Sequence, residues 1–102
     1  MSELGDRQRQ FPLMLAKLII HAYELGFEIT LGEGYNAEGV GHKPNSNHYI
    51  KLAQDLNLFK DGVWLKDGTG HRELHDYWDT LGGAPRIEKD LNHYAIMYQG
   101  RY

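Results

Sequence analysis

The sequence predicts an α+β fold in which a small antiparallel sheet is flanked by helices. Three observations favour this fold class. Apolar residues recur at helical spacing in two segments, they alternate in the manner of strands in others, and glycine-containing turns separate these segments. At 102 residues the chain is long enough for one hydrophobic core, so a single domain over residues 1–102 is expected.

Two helices are expected. The first runs from about Phe11 to Leu25 and begins near Pro12, because proline fits the first turn of a helix. The second runs from about Gly70 to Leu81 and closes at the glycine pair that follows. The apolar residues at helical spacing are Phe11, Leu15, Leu18, Ile19 and Ala22 in the first helix, and Leu74, Tyr77, Trp78 and Leu81 in the second.

The strands are expected between and after these helices. In the segment FEITLGEGY, apolar residues alternate at Phe27, Ile29 and Leu31. Residues 36–47 contain glycines, a proline and asparagines with almost nothing to bury, so they are expected to form an exposed loop. The other strands are predicted over Tyr49–Phe59, over Val63–Leu65 after the Asp61-Gly62 turn, and over Ala95–Tyr98.

Composition excludes several classes of function. The chain has no cysteine, so any metal must be held by nitrogen and oxygen. The formal net charge of −3 is mild and the basic residues are scattered, which argues against nucleic-acid binding. The polar start MSELGDRQRQ resembles neither a signal peptide nor a membrane span. The protein is therefore expected to be made in a cytoplasm and to have no stable membrane association.

Four residues in two segments suggest a metal site. His48 precedes Asp55 by seven positions, and Asp90 precedes His93 by three. Two imidazoles and one carboxylate are a set with which proteins hold catalytic zinc, and a second carboxylate can accept a proton from water. The segments therefore predict a zinc hydrolase.

The spacing of these residues limits where they can lie. Residues seven apart in a strand face opposite sides, so His48 must precede the strand that carries Asp55, or a bulge must intervene. Asp55 lies in the most apolar strand of the chain, where a carboxylate needs a cation or strong donors. The alternative is that Asp55 caps a turn or accepts backbone donors. A tight turn is expected to bring Asp90 and His93 to one side of an ion.

The two segments resemble a known family. SNHYIKLAQD is similar to the Ser-x-His-x-x-Gly-x-Ala-x-Asp signature of zinc peptidases that include D-alanyl-D-alanine carboxypeptidases and bacteriophage L-alanyl-D-glutamate endolysins, and DLNHY resembles their acidic-x-x-His segment. The resemblance implies the fold shared with the hedgehog signalling domain. It also implies zinc held by His48, Asp55 and His93, with Asp90 as the general base and acid.

The same resemblance implies a substrate and a setting. A peptidoglycan peptide is the implied substrate, and a phage lysis enzyme acting as a monomer is the implied protein. It would reside in the cytoplasm of the bacterial host before release to the cell wall, or be carried in the virion. The candidate substrate-binding residues are Tyr35, Asn36, Ser46 and Tyr94, and Ser46 and Asn92 are also candidates to orient the ligands.

Two positions depart from the family pattern. Lys51 replaces the glycine of the signature, and Tyr35-Asn36 stands where relatives carry Tyr-Arg, whose arginine reaches toward the substrate. Lys43, Arg86 and Arg101 are candidates to replace that charge. The alternative function is a catalytically weakened or inactive zinc-binding module on the same fold.

The remaining histidines and the tryptophans have simpler interpretations. His71 and His75 are four apart on the second helix, a spacing that can bind metal, but solvent exposure is expected. His21 is expected on a helix surface or partly buried, and His42 is a candidate substrate contact.

Glu33 is either a second acceptor near the ligands or an exposed strand residue. Trp64 and Trp78 are expected in the core.

Overall fold

The structure, a computed structural model, describes residues 2–102, so of the predicted domain only Met1 lies outside the described residues. It confirms the α+β class, with a small antiparallel sheet and two helices. The elements are α1 (Glu3–Glu24), β1 (Glu28–Leu31), a 3-10 helix (Asn47–Ile50), β2 (Ala53–Lys60), β3 (Val63–Trp64), α2 (His71–Thr80) and β4 (His93–Ala95).

Strand β2 is the centre of the sheet, because the other three strands all pair with it in antiparallel fashion. β1 pairs over its whole length with residues 56–59 of β2. β3 pairs with the end of β2 across the Asp61-Gly62 turn, and β4 pairs with the beginning, residues 53–55. Both Asp61 (φ 51°) and Gly62 (φ 76°) have the left-handed backbone that a two-residue hairpin turn requires.

Helix α1 begins eight residues earlier than predicted. Ser2 caps it by accepting a hydrogen bond from Gly5 N (3.0 Å), and Pro12 lies inside the helix at an exposed position. The side chain of Gln8 donates to the carbonyl of Ile50 (2.9 Å), so the polar first turns are tied to the body of the fold. The prediction was wrong because it took the proline as a start signal and could not include this tertiary contact.

The core lies between the two helices and the sheet. Phe11, Met14, Leu18 and Ala22 form the buried stripe of α1. They belong to one cluster with residues of the sheet and α2, including Leu52, Leu56, Leu58, Leu74, Trp78, Tyr94 and Ile96. Within residues 2–102, neither helix is both long enough and apolar enough to cross a membrane.

The segment before β2 differs from the predicted strand. Asn47–Ile50 form the 3-10 helix, and the strand itself starts only at Ala53. Between them Lys51 is exposed and has a left-handed backbone, with φ 61°. A glycine adopts this conformation without steric cost, which gives a physical reason for glycine at this point of the signature. The last strand also differs: β4 covers His93–Ala95, not residues 95–98.

Lys51→Gly is expected to raise the free energy of unfolding by up to about 1 kcal/mol, because relief of the left-handed strain exceeds the entropy that glycine adds to the unfolded chain. Urea denaturation measures the change. Lys60→Gly is the matched control, since Lys60 is an exposed residue of β2 that does not have a positive φ. It should lower stability by about 0.5–1 kcal/mol. A loss of stability in both variants would contradict the expectation.

Candidate metal centre

The structure brings the three predicted metal ligands together. His48 Nε2 lies 3.2 Å from Asp55 Oδ1 and 3.3 Å from His93 Nδ1, and His93 Nδ1 lies 3.4 Å from Asp55 Oδ1. Each side chain contributes one atom to this triangle, and the group can hold a metal ion. We call His48, Asp55 and His93 the ligand triad.

The fold fixes each member of the triad in a different way. His48 is the second residue of the 3-10 helix, which Ser46 caps by accepting a hydrogen bond from His48 N (3.2 Å). His48 therefore precedes β2, as its spacing from Asp55 requires. Asp55 and His93 are directly opposed partners in the β2–β4 register, so the sheet sets their separation. The triad thus rests on regular backbone rather than on the exposed loop.

The hydrogen bond from His48 Nδ1 to the carbonyl of Gly34 (2.8 Å) decides how this imidazole faces the site. A carbonyl only accepts, so Nδ1 carries the hydrogen, and a neutral His48 presents a bare Nε2 to Asp55. Two acceptors then face each other at 3.2 Å. Such an arrangement is stabilised only when a proton or a metal cation lies between them. His93 differs, because its Nε2 is buried with no hydrogen-bond partner within residues 2–102.

The protonation states of His48 and Asp55 follow from the same contacts. Burial by itself raises the pKa of Asp55, but hydrogen bonds with His48 and His93 outweigh it and lower the pKa from 3.8 to about 2. Burial by itself lowers the pKa of His48, but the hydrogen bonds to Asp55 and Gly34 raise it above its ordinary value. Asp55 is therefore an anion at neutral pH, as a metal ligand must be.

Asp90 lies beside the triad without belonging to it. Its Oδ2 is 4.0 Å from His93 Nδ1, and its side chain is 52% exposed. A turn closed by the hydrogen bond from His93 N to the Asp90 carbonyl (3.0 Å) brings both side chains to one side, as the spacing predicted. An exposed carboxylate at this distance is free to meet water or substrate.

A cavity of about 260 Å³, which we call the triad cavity, is lined by His48 and His93 of the triad and by Asp90, His42 and Lys43. The imidazole of His42 stacks on that of His48, with ring centroids 4.2 Å apart. Its Nε2 pairs with the carboxylate of Glu33. Glu33, His42 and His48 form a second group that can hold a cation. The pairing of Glu33 with His42 could not be predicted from the sequence, because it joins two irregular segments.

Asn36, expected in the substrate groove, is instead built into its own loop. Its Nδ2 donates to Glu33 Oε1 (3.0 Å) and to the Val40 carbonyl (2.6 Å). Its Oδ1 accepts from Glu38 N (3.1 Å) and Gly39 N (3.2 Å). These four hydrogen bonds hold the turn together, so the side chain has a structural role that an arginine would not reproduce.

The other predicted groove residues are placed differently from one another. Tyr35 is half exposed, and Lys51 Nζ lies 4.9 Å from its ring centroid. Ser46 is buried and lines the cavity. Tyr94 is fully buried in the core, so the prediction that it lines a groove is wrong. The reason is strand alternation: His93 faces the site, and its neighbour must face the opposite side.

Two of the three basic candidates are occupied elsewhere. Arg86 pairs with Asp76 (2.6 Å) and Asp79 (3.2 Å), and Arg101 donates to backbone carbonyls at residues 45 and 46. Lys43 is the one lysine or arginine among the described residues that line the cavity. Its Nζ lies 5.6 Å from the ring centroid of Tyr102.

The two histidines of α2 are not solvated, contrary to the prediction. His71 is 3% exposed and its Nδ1 lies 2.7 Å from the Tyr94 hydroxyl. His75 is fully buried, stacks on the Tyr94 ring at 4.2 Å, and donates from Nε2 to the Leu91 carbonyl (2.8 Å). These two histidines therefore contact residues on both sides of His93, namely Leu91 and Tyr94. Positions 71, 74, 75 and 78 share one helical face, and this periodicity was the available signal.

Burial of these imidazoles predicts loss of stability in acid. Burial, aided by repulsion from His75, lowers the pKa of His71 from 6.5 to about 4. The unfolded chain therefore takes up protons first, and stability present above pH 6.5 is lost as the pH falls toward 4. We expect His71 alone to account for about 3 kcal/mol. Burial lowers the pKa of His75 as well, which adds to the loss.

Urea denaturation between pH 7 and 4, with a chelator present to remove metal, measures this loss. His71→Gln keeps a polar group at the position but cannot be charged, so its stability should depend less on pH than that of the wild type. His21→Gln is the matched control: His21 is a partly buried helical histidine that stacks on Tyr77. Equal pH dependence in the wild type and His71→Gln would contradict the assignment.

The two tryptophans differ in burial. Trp78 is fully buried, as predicted, and donates from Nε1 to the Ala95 carbonyl (2.8 Å). Trp64 is 49% exposed, so its expected place in the core is wrong. It lies on the two-residue strand β3, both residues of which are exposed.

Comparisons with known proteins add no neighbour: no protein-family model, no curated protein and no solved structure matches this chain. The resemblance to zinc peptidases therefore stays a prediction that rests on the two sequence segments.

Proposed function

We propose that the protein is a zinc-dependent peptidase that hydrolyses peptidoglycan peptides, on the fold of the hedgehog domain and the D-alanyl-D-alanine peptidases. In this proposal it is a bacteriophage lysis enzyme that reaches the wall after release from the host cytoplasm or from the virion. The observation that carries the proposal is the ligand triad, with the carboxylate of Asp90 4.0 Å from His93. A purely structural ion has no need of that fourth, exposed acidic group.

The triad fits zinc in geometry and in donor type. Zinc bound to imidazole and carboxylate at about 2.0–2.1 Å in a tetrahedron has ligand atoms roughly 3.3–3.4 Å apart. The three separations of the triad are 3.2, 3.3 and 3.4 Å. Two nitrogens and one oxygen suit zinc, and three protein ligands leave one tetrahedral position for water or substrate. This agreement supports zinc as the ion.

A bound zinc ion supplies a Lewis acid that polarises a carbonyl and makes water more acidic. The chain supplies the rest of the proposed chemistry. The Asp90 carboxylate accepts the proton of the attacking water and returns it to the nitrogen of the leaving amine. His48 stays oriented throughout, because its hydrogen bond to Gly34 does not involve the site-facing nitrogen.

Lys43 is the residue we assign to substrate anchoring in place of the missing arginine. It lines the cavity and is exposed, whereas the other candidates are engaged in their own contacts. Peptidoglycan stem peptides carry carboxylates, and an ammonium group beside the triad attracts them. Lys43 brings one charge but lacks the bidentate geometry of arginine.

A second candidate is a zinc-binding module without catalysis. The observation in its favour is Asn36, whose amide is fully used in the loop and provides no substrate contact. Asp90 separates the two functions, since only the peptidase requires its exposed carboxylate.

The direct test is incubation of the zinc-loaded protein with defined muropeptides, followed by mass spectrometry of the products. We expect cleavage at one peptide bond, loss of activity with a chelator, and recovery on return of zinc. Intact muropeptides in the presence of bound zinc would favour the non-catalytic module.

A further inference from the structure

A second cleft, of about 370 Å³, is also lined by Asp90. Asp90 lines both spaces, so the cleft and the triad cavity are neighbours. We call it the Trp64 cleft. Its lining includes Asn57, Trp64, Lys66, Glu88, Asp90 and Asn92.

Trp64 is the unusual residue of this cleft. It is 49% exposed, although Lys66 Nζ lies 5.1 Å from its ring centroid. The tight Asp61-Gly62 turn and the pairing of Trp64 with Phe59 fix its backbone. Exposing a large indole surface to water is unfavourable, and the core gains nothing from this placement. The ring is therefore available to a ligand that has an apolar face.

The rest of the lining indicates a neutral, polar ligand. Asn57 and Asn92 offer amide donors and acceptors. Carboxylates at positions 67, 88 and 90 accompany lysines at positions 66 and 89, so the cleft does not favour a phosphate or another polyanion. A hexose ring matches this chemistry, because its C–H face packs on indole while its hydroxyl and acetamido groups bond to amides.

We propose that the Trp64 cleft binds an N-acetylated hexose, the glycan unit to which a wall peptide is attached. The choice of glycan rests on the proposed function. A sugar bound in the Trp64 cleft would place the peptide attached to it in the triad cavity. Trp64 stacks on the sugar ring, and Asn57 and Asn92 bind its polar edge. The protein would then prefer peptides that are still joined to the glycan strand.

The test is a two-dimensional NMR titration of the zinc-loaded protein with the β-1,4-linked trisaccharide of N-acetylglucosamine. We expect saturable shifts of the Trp64 indole N–H and of the Asn57 and Asn92 side-chain amides. Trp64→Ala should weaken binding at least about ten-fold, and Trp64→Phe, which keeps an aromatic ring, should weaken it less. Val63→Ala is the matched control, because Val63 is 63% exposed on the same strand but is absent from the lining.

The outcomes separate this inference from the proposed function. No saturable shifts, or unchanged affinity in Trp64→Ala, would overturn the glycan subsite even if peptides are hydrolysed. If the protein binds the sugar but hydrolyses no peptide, the glycan subsite is supported and the proposed peptidase function is overturned. If both hold, Trp64→Ala should lower the kcat/KM for a disaccharide-linked peptide, relative to the free peptide, about ten-fold.

Discussion

Asp90→Asn is expected to leave zinc bound and to slow hydrolysis of wall peptides by about two to four powers of ten. Asparagine keeps the shape of the side chain but cannot accept the proton of the attacking water. Zinc should stay, because the triad atoms lie within 3.4 Å of one another without Asp90. The measurement is kcat on a defined muropeptide, together with the zinc content of the same sample.

Glu73→Gln provides the control for Asp90→Asn, since Glu73 is an exposed carboxylate of α2 outside both cavities. It should change neither activity nor zinc content. Retention of activity with loss of zinc in Asp90→Asn would make Asp90 a ligand and would require a new role for Asp55.

Zinc is expected to raise the melting temperature of the wild type by roughly 10–20 °C when its free concentration is about 100 times its Kd. The gain arises because the ion binds the folded triad and not the unfolded chain. His93→Ala removes one of three ligands and should abolish this gain. Thermal unfolding followed by circular dichroism, with and without zinc, measures both values.

His42→Ala is the matched control for this experiment. His42 belongs to the second cation-binding group, with Glu33, but not to the triad. The variant should keep most of the gain from zinc. The reverse pattern, with the gain kept in His93→Ala and lost in His42→Ala, would move the ion to the Glu33 side of His48.

The types of ligand were predictable from the sequence, but their arrangement was not. Asp55 could be singled out because a carboxylate in an apolar strand requires a partner. The direct opposition of Asp55 and His93 depends on the β2–β4 register, which joins segments almost forty residues apart. Register of this kind follows from tertiary packing and has no local signal.

The wrong predictions for the α2 histidines and for Asn36 have physical causes. The predicted solvent exposure of His71 and His75 is wrong, because both positions lie on the buried face of α2. Asn36 is predicted to line the substrate groove at the position of the family's arginine, but its amide is hydrogen-bonded within its own loop. The partners of the two histidines, the Tyr94 hydroxyl and the Leu91 carbonyl, are brought close only by the fold. The partners of Asn36 lie within four residues of it in the sequence.

We propose that His48, Asp55 and His93 hold one zinc ion. An anomalous difference map, recorded at the zinc absorption edge from crystals of the zinc-loaded protein, tests it most directly. We predict one peak per chain, about 2.0–2.1 Å from His48 Nε2, Asp55 Oδ1 and His93 Nδ1. A peak between Glu33 and His42, or no peak within bonding distance of the triad, would show that the triad does not hold the zinc ion.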